Sequence, residues 1–204
     1  MFKYTFRIRI ISLFSFISKC KRKLNACFFN LLTGHKFRMV GINFKLYIKP
    51  FDNFDKNNRR WIDGRIGDNC WIEAVYNYGQ QNFSPVLNIG QRLCLSDNVH
   101  ISCASSLTLG DDVLIGSKVY IGDHSHGSYK NNSYEFSPPA DKTLDDFASV
   151  KIGNCCWIGD NAVILAGSDI CDGCVIAANA VVKGLKVDKP CLIGGVPAKV
   201  LKVF

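Results

Sequence analysis

From Ile152 onward an aliphatic residue returns every six positions: Ile152, Ile158, Ile164, Ile170, Ile176 and Val182. With Ile, Leu and Val at roughly one residue in four, six hits in one phase have odds on the order of 10⁻⁴. Gly or Ala follows at Gly153, Gly159 and Ala177, and polar turn residues follow at Asn154, Asp160-Asn161, Asp172-Gly173 and Asn179. Upstream the same spacing recurs in shifted phases. Ile89-Gly90, Leu95, Ile101 and Leu107 form one run, Leu109-Gly110, Ile115-Gly116 and Ile121-Gly122 the next, and Ile66-Gly67 with Ile72 an early pair. A period of six matches neither a helix nor a single strand. It fits short strands joined by turns that need Gly, Asn or Asp. Three such units close one triangular coil of about 18 residues, and each coil buries its aliphatic side chains only by stacking on the next. The expected fold is all-β, a parallel β-helix of hexapeptide repeats.

The fourth residue after each aliphatic one is small or β-branched at Cys70, Val99, Ser105, Val113, Val119, Cys156, Ala162, Ser168, Cys174 and Ala180, as a narrow interior requires. Tyr76, Leu93 and Asp111 break the rule. Cys70, Cys156 and Cys174 therefore read as small core residues. The pair Cys171-x-x-Cys174 lacks the second ligand pair of a zinc site and any thioredoxin-like context, so core packing and a reducing compartment are expected.

Residues 1–34 stand apart. Phe6, Ile10, Leu13, Ile17, Cys20, Leu24, Phe28 and Leu31 recur at spacings of three and four, a helical stripe, and seven Lys and Arg lie mostly off it. Two readings remain open: helices packed on the β-helix or across a subunit contact, and a basic helix on an anionic membrane surface. The apolar run Ile8–Ile17 is interrupted by Arg9 and is too short for a spanning helix, and a secretory signal is not expected because no small-residue cleavage site follows. Residues 35–65 form a connecting region without clear period, and 66–204 the β-helix. Its hexads stop over an inserted loop, 127–149, that contains Pro138-Pro139 and Asp145-Asp146, and a smaller excursion spans Asn77–Ser84. Long loops in compact folds tend to be functional. The chain has 204 residues and a formal charge of +8, a balance that suits an anionic ligand. Its basic residues are split between the ends without a recognition motif, so nucleic acid is not an expected partner.

The four histidines are His35, His100, His124 and His126. His124-Ser125-His126 stands where the regular coil gives way to the loop, so at least one imidazole is expected in a surface cleft, suited to general-base work near neutrality. Three segments, Ile121-Gly-Asp-His-Ser-His-Gly127, Val150-Lys-Ile-Gly-Asn-Cys-Cys-Trp-Ile-Gly-Asp160 and Gly194-Gly-Val-Pro-Ala-Lys199, resemble the hexapeptide acyltransferases. Within these the chain is similar to the galactoside and maltose acetyltransferase group, and most to the branch that O-acetylates sugars of bacterial O-antigen, capsule or exopolysaccharide. The resemblance covers roughly residues 66–204.

It implies a left-handed β-helix, a trimer, and a site between neighbouring subunits with acetyl-CoA along a groove. The family's catalytic histidine, 17 positions after the aliphatic residue opening the preceding coil, maps from Leu109 onto His126, with His124 the runner-up. The position of an acceptor-binding Asn is Ser96 here. For CoA the resemblance implies Trp157, Asp160, Ala178, Lys183, Gly184, Lys199 and Lys202, although the usual Thr-Lys pair reads Lys183-Gly184. No metal is implied. The expected function is acetyl transfer from acetyl-CoA to a sugar hydroxyl, in the cytoplasm and at most peripheral on the inner membrane. The alternatives are a non-enzymatic β-helix scaffold, and a zinc enzyme of the carbonic anhydrase type drawing on His100, His124 and His126.

Overall fold

The computed structural model describes residues 2–33, 36–48, 63–128 and 138–204, with side chains of the first segment described from Phe16 to Leu31. His35 lies outside the described residues, as do the stripe side chains Phe6, Ile10 and Leu13. From Lys36 the chain winds into a triangular prism. Its three faces are parallel sheets of eight, six and five strands among the described residues, the first closed by an antiparallel last strand, Ala198–Val203.

Face I stacks Met39–Val40, Arg65–Ile66, Cys94–Leu95, Leu114–Ile115, Trp157–Ile158, Val175–Ile176 and Cys191–Gly195. Face II stacks Lys45–Tyr47, Trp71–Ala74, His100–Cys103, Tyr120–Gly122, Val163–Leu165 and Val181–Lys183. Face III stacks Val86–Ile89, Ser106–Leu109, Val150–Ile152, Asp169–Ile170 and Lys186–Val187.

The hexad residues fill the interior. Ile72, Ile101, Ile121, Ile164 and Val182 lie in register on face II, and each is fully buried. Burial of one such side chain is worth about 1.5–3 kcal/mol, and here its neighbours come from the coils above and below. Leu93, which breaks the small-residue rule, is also in the core. Cys70, Cys156 and Cys174 are buried free thiols, and burial pushes the Cys156 thiol up to about 11. Cys174 lies 3.6 Å from the Cys171 sulfur and 3.8 Å from that of Cys191.

Glycine after the aliphatic residue answers to close stacking. A Cβ on Gly110 would stand 2.6 Å from the backbone nitrogen of Asn154 in the next coil. The edge between faces I and II turns through left-handed residues at Asn43, Asn69, Asn98, Lys118, Asn161 and Asn179, with φ between 55° and 61°. Asn predominates there because its short side chain tolerates this region.

The β-helix starts one coil earlier than the hexad register indicates. Met39–Val40 pairs with Arg65–Ile66, and Lys45–Tyr47 with Trp71–Glu73, so part of the 35–65 connecting region is coil. Val40 and Leu46 are six apart and Gly41 follows Val40, a single repeat set among aromatic residues.

The N-terminal segment is one helix, α1, Phe2–Thr33. It docks on this first coil and the edge of the next by the face carrying Arg22, Ala26, Phe29 and Asn30. Arg22 donates to both Asp68 oxygens at 3.2 and 2.5 Å, and the Asn30 side chain makes two bonds to the backbone of Phe37. Ala26 is buried, and Phe29 packs edge-on to Phe37 and tilted to Phe44. The described part of the predicted stripe points the opposite way. Ile17, Leu24, Phe28 and Leu31 are exposed, Leu31 by 82%. No helix among the described residues is long and apolar enough to cross a membrane.

Candidate active site

After Gly122 the chain leaves the edge between faces II and III and returns at Val150. The Ala148 N–H donates to the carbonyl of Asp123 at 3.1 Å, which ties the two ends of the loop. Asp123 is fully buried and its carboxylate is crowded with donors: the N–H groups of Ala104, Ser105 and Ser106 at 2.9, 2.8 and 2.7 Å, and His124 Nδ1 at 2.8 Å. Burial alone would raise its pKa, but the bonds from His124, Ala104 and Ser105 outweigh burial and hold the pKa below the ordinary carboxylate value. An ionised carboxylate only accepts, so the His124 proton facing it sits on Nδ1. The His124 side chain is only 9% exposed, with the Phe147 ring 6.4 Å away.

Two residues on, His126 is exposed. Ser125–His126 pairs antiparallel with Leu144–Asp145, His126 opposite Leu144. The excursion after face II folds into a hairpin of Asn77–Tyr78 and Gln81–Asn82 that reaches this loop. The Gln81 side chain accepts from the Leu144 N–H at 2.7 Å and donates to its carbonyl at 3.1 Å. The Tyr78 hydroxyl lies 3.1 Å from His126 Nδ1 and donates to the Ala140 carbonyl at 3.1 Å. Tyr78 and Gln81 had no signal in the sequence, because contacts 48 and 63 residues apart follow no period.

The remaining predicted residues fall on several parts of the prism. Gly184, with φ 65°, shares the histidine edge, stacked on Gly167, and Lys183 is exposed at the end of the face II strand leading to it. Ser96, Asp160 and Ala178 line the other edge of face II, between faces I and II. Asp160 has a structural bond there, accepting from the Ser117 N–H at 2.7 Å. Trp157 is 54% exposed on the outside of face I between Leu114 and Val175, and Lys199 and Lys202 sit on the terminal antiparallel strand. One chain therefore brings His124, His126, Lys183 and Gly184 to one edge and leaves Ser96, Asp160 and Ala178 on another.

Between these edges the outside of face II carries Lys45, Trp71, His100, Tyr120, Val163 and Val181 in register. His100 stacks on Trp71 at 4.4 Å, and its Nε2 is 3.1 Å from Glu73, which also accepts from Ser102 at 2.8 Å. His100 is thus engaged apart from His124 and His126, and among the described residues no group of three or more His, Cys, Asp or Glu side chains is arranged to hold a metal ion. The Trp71 indole N–H is the one buried side-chain nitrogen or oxygen without a hydrogen bond among the described residues.

Residues 149–184 match the family model for the bacterial transferase hexapeptide, six repeats. A putative lipopolysaccharide biosynthesis O-acetyl transferase, WbbJ, of Escherichia coli strain K12 is 40% identical over 121 residues, covering 58% of this chain and 61% of that protein. Both matches make the chain similar to hexapeptide-repeat acyltransferases. Another relative among these acyltransferases, the galactoside O-acetyltransferase of the same strain, is 29% identical over 142 residues, covering 67% of this chain and 62% of that protein. The chain thus spans about three fifths of the length of both relatives. A solved galactoside acetyltransferase in complex with coenzyme A superposes with a TM-score of 0.51 at 19% identity, over 91% of this chain and 82% of that one. The fold is a left-handed parallel β-helix with an N-terminal helix.

Proposed function

We propose that this chain transfers the acetyl group of acetyl-CoA to a hydroxyl of a bacterial surface-polysaccharide sugar, with His126 as general base. The observation that carries the reading is an exposed imidazole at the mouth of the inserted loop, in a chain 40% identical over 121 residues to a putative lipopolysaccharide O-acetyl transferase. His126 takes the proton of the sugar hydroxyl as its oxygen attacks the thioester carbonyl. A backbone N–H stabilises the tetrahedral oxyanion, the C–S bond breaks, and the imidazolium returns the proton to the CoA sulfur. His124, paired with buried Asp123, is the runner-up base. It is nearly enclosed, and a glycan reaches an exposed ring more readily.

Because the histidines and the Ser96, Asp160 and Ala178 group occupy different edges, a complete site takes one edge from each of two copies. The half-buried aromatic column on face II supports packing of copies around an axis, with Trp71 as a donor at the contact and a trimer as the assembly. Ser96 would meet the acceptor. Asp160, Ala178, Lys183 and Gly184 would follow the cofactor groove, Lys199 and Lys202 its phosphates, and Trp157 its wall. The outward apolar stripe of α1 supports contact with an anionic membrane. Leu24 and Phe28 are uncovered, exposed Lys21 lies one and two turns before them on the same face, and residues 1–34 hold no acidic residue.

The test is free thiol released from acetyl-CoA with a panel of bacterial glycans and sugar nucleotides, comparing wild type, His126→Ala and His124→Ala. Loss in His126→Ala alone, with CoA binding retained, supports the reading. No turnover with any acceptor, together with no CoA binding by calorimetry, overturns it in favour of a scaffold.

A further inference from the structure

We propose that Tyr78 is a positioning residue that fixes the proton of His126 on Nδ1 and so sets Nε2 as the basic nitrogen. The inference deepens the acetyl-transfer reading and rests on His126 as its base. The phenol oxygen lies 3.1 Å from both His126 Nδ1 and the Ala140 carbonyl oxygen. A phenol has one proton to give, and a carbonyl oxygen only accepts. The Tyr78 proton is therefore committed to Ala140, and its oxygen accepts from an N–H on His126. That N–H is at Nδ1, so in the neutral ring the lone pair belongs to Nε2.

The arrangement is built by tertiary contacts. The hairpin holds the loop twice: Tyr78 holds the imidazole, and Gln81 holds both backbone groups of Leu144, the residue opposite His126 in the short ladder. The two rings meet edge to face, centroids 5.1 Å apart at 72°, with the phenol oxygen 3.1 Å from Nδ1. A free neutral imidazole in water favours its proton on Nε2. Without Tyr78 the tautomer needed for attack through Nε2 would be the minor one. His124 reaches the same tautomer through a carboxylate, with a different consequence. At His126 the partner is a neutral phenol, which directs the proton without adding a charge against the imidazolium that must give its proton to the leaving sulfur.

The experiment reads the tautomer itself. Long-range ¹H–¹⁵N correlation spectra of the full ¹⁵N-labelled chain, about two pH units above the ordinary imidazole value of ~6.5, give separate shifts for the two ring nitrogens, and the signals missing in His126→Ala assign them. Wild type is expected to show Nδ1 protonated. In Tyr78→Phe, folded by circular dichroism, the population moves toward the Nε2-protonated form. With the acceptor found by the thiol assay, kcat of Tyr78→Phe falls on the order of ten- to hundredfold while KM for acetyl-CoA stays unchanged. A wild-type ring protonated on Nε2, or a folded Tyr78→Phe with the wild-type tautomer, overturns the assignment, and the wild-type spectrum decides if the variant does not fold. The spectra need no substrate. Absence of acetyl transfer with the Nδ1 proton in place therefore counts against the enzymatic reading and leaves the role of Tyr78 standing.

Discussion

Asp123 Oδ1 lies 2.8 Å from Nδ1 of His124, and the same carboxylate takes the backbone N–H groups of Ala104, Ser105 and Ser106. One buried group thus closes the corner leading into face III and orients an imidazole. Asp123→Ala strands three backbone donors and is expected to cost about 3 kcal/mol or more in a denaturant titration, whereas the same change at an exposed carboxylate such as Asp188 costs well under 1.

The same carboxylate sets an acid limit. Its pKa in the folded chain is below the unfolded value of ~3.9, so the unfolded chain binds the proton first as pH falls. The stabilisation is at its full value above the unfolded pKa and is lost as pH falls through the folded one. Midpoints measured from neutrality down through this window should fall less in Asp123→Asn than in wild type. An equal fall in both would show that Asp123 does not carry the acid sensitivity.

Close stacking of coils makes Gly110→Ala a sensitive test of the register. The added carbon would stand 2.6 Å from the Asn154 backbone, so a coil must shift, at an expected cost of about 2–3 kcal/mol. The same substitution at Gly79, where a Cβ meets nothing within 4 Å, adds only the strain of its positive φ of 55°. A Gly110→Ala midpoint equal to wild type would contradict the stacking.

Asp160 separates a structural role from a cofactor role. Its bond to the Ser117 N–H needs only an acceptor, so Asp160→Asn should keep stability while Asp160→Ala loses about 1 kcal/mol. If Asp160 also lines the CoA groove, both variants change the KM for acetyl-CoA. A change confined to stability would assign it to the turn ladder alone.

The outward stripe of α1 predicts a separation of stability from binding. Leu24→Glu with Phe28→Glu should leave the melting midpoint within about 0.5 kcal/mol of wild type and abolish co-sedimentation with phosphatidylglycerol vesicles. Wild-type protein that fails to sediment with those vesicles, but whose assembly by light scattering depends on the stripe, would assign this surface to a second copy.

The hexad spacing by itself determined the interior. Every aliphatic residue of the Ile152–Val182 run is buried, because a six-residue period leaves a triangular coil as the only way to bring those side chains together. It also located the interruption after His126, where the period stops. The early coil at Val40 and Leu46 is not legible in the sequence because a single repeat among aromatic residues has no statistical weight. The apolar period of α1 was visible, but its direction was not. Helical spacing identifies a face without saying what it meets, and Arg22 with Asp68 docks the opposite side. At the candidate site, sequence supplied the two histidines, and tertiary structure decided their surroundings: Asp123 beneath one ring, Tyr78 at the edge of the other, and the Ser96 and Asp160 edge turned away from both. Local pattern fixes which residues enter the core, because burial depends on period. Hydrogen-bond partners at the loop depend on where a hairpin 48 residues earlier comes to rest, and only the folded coil sets that.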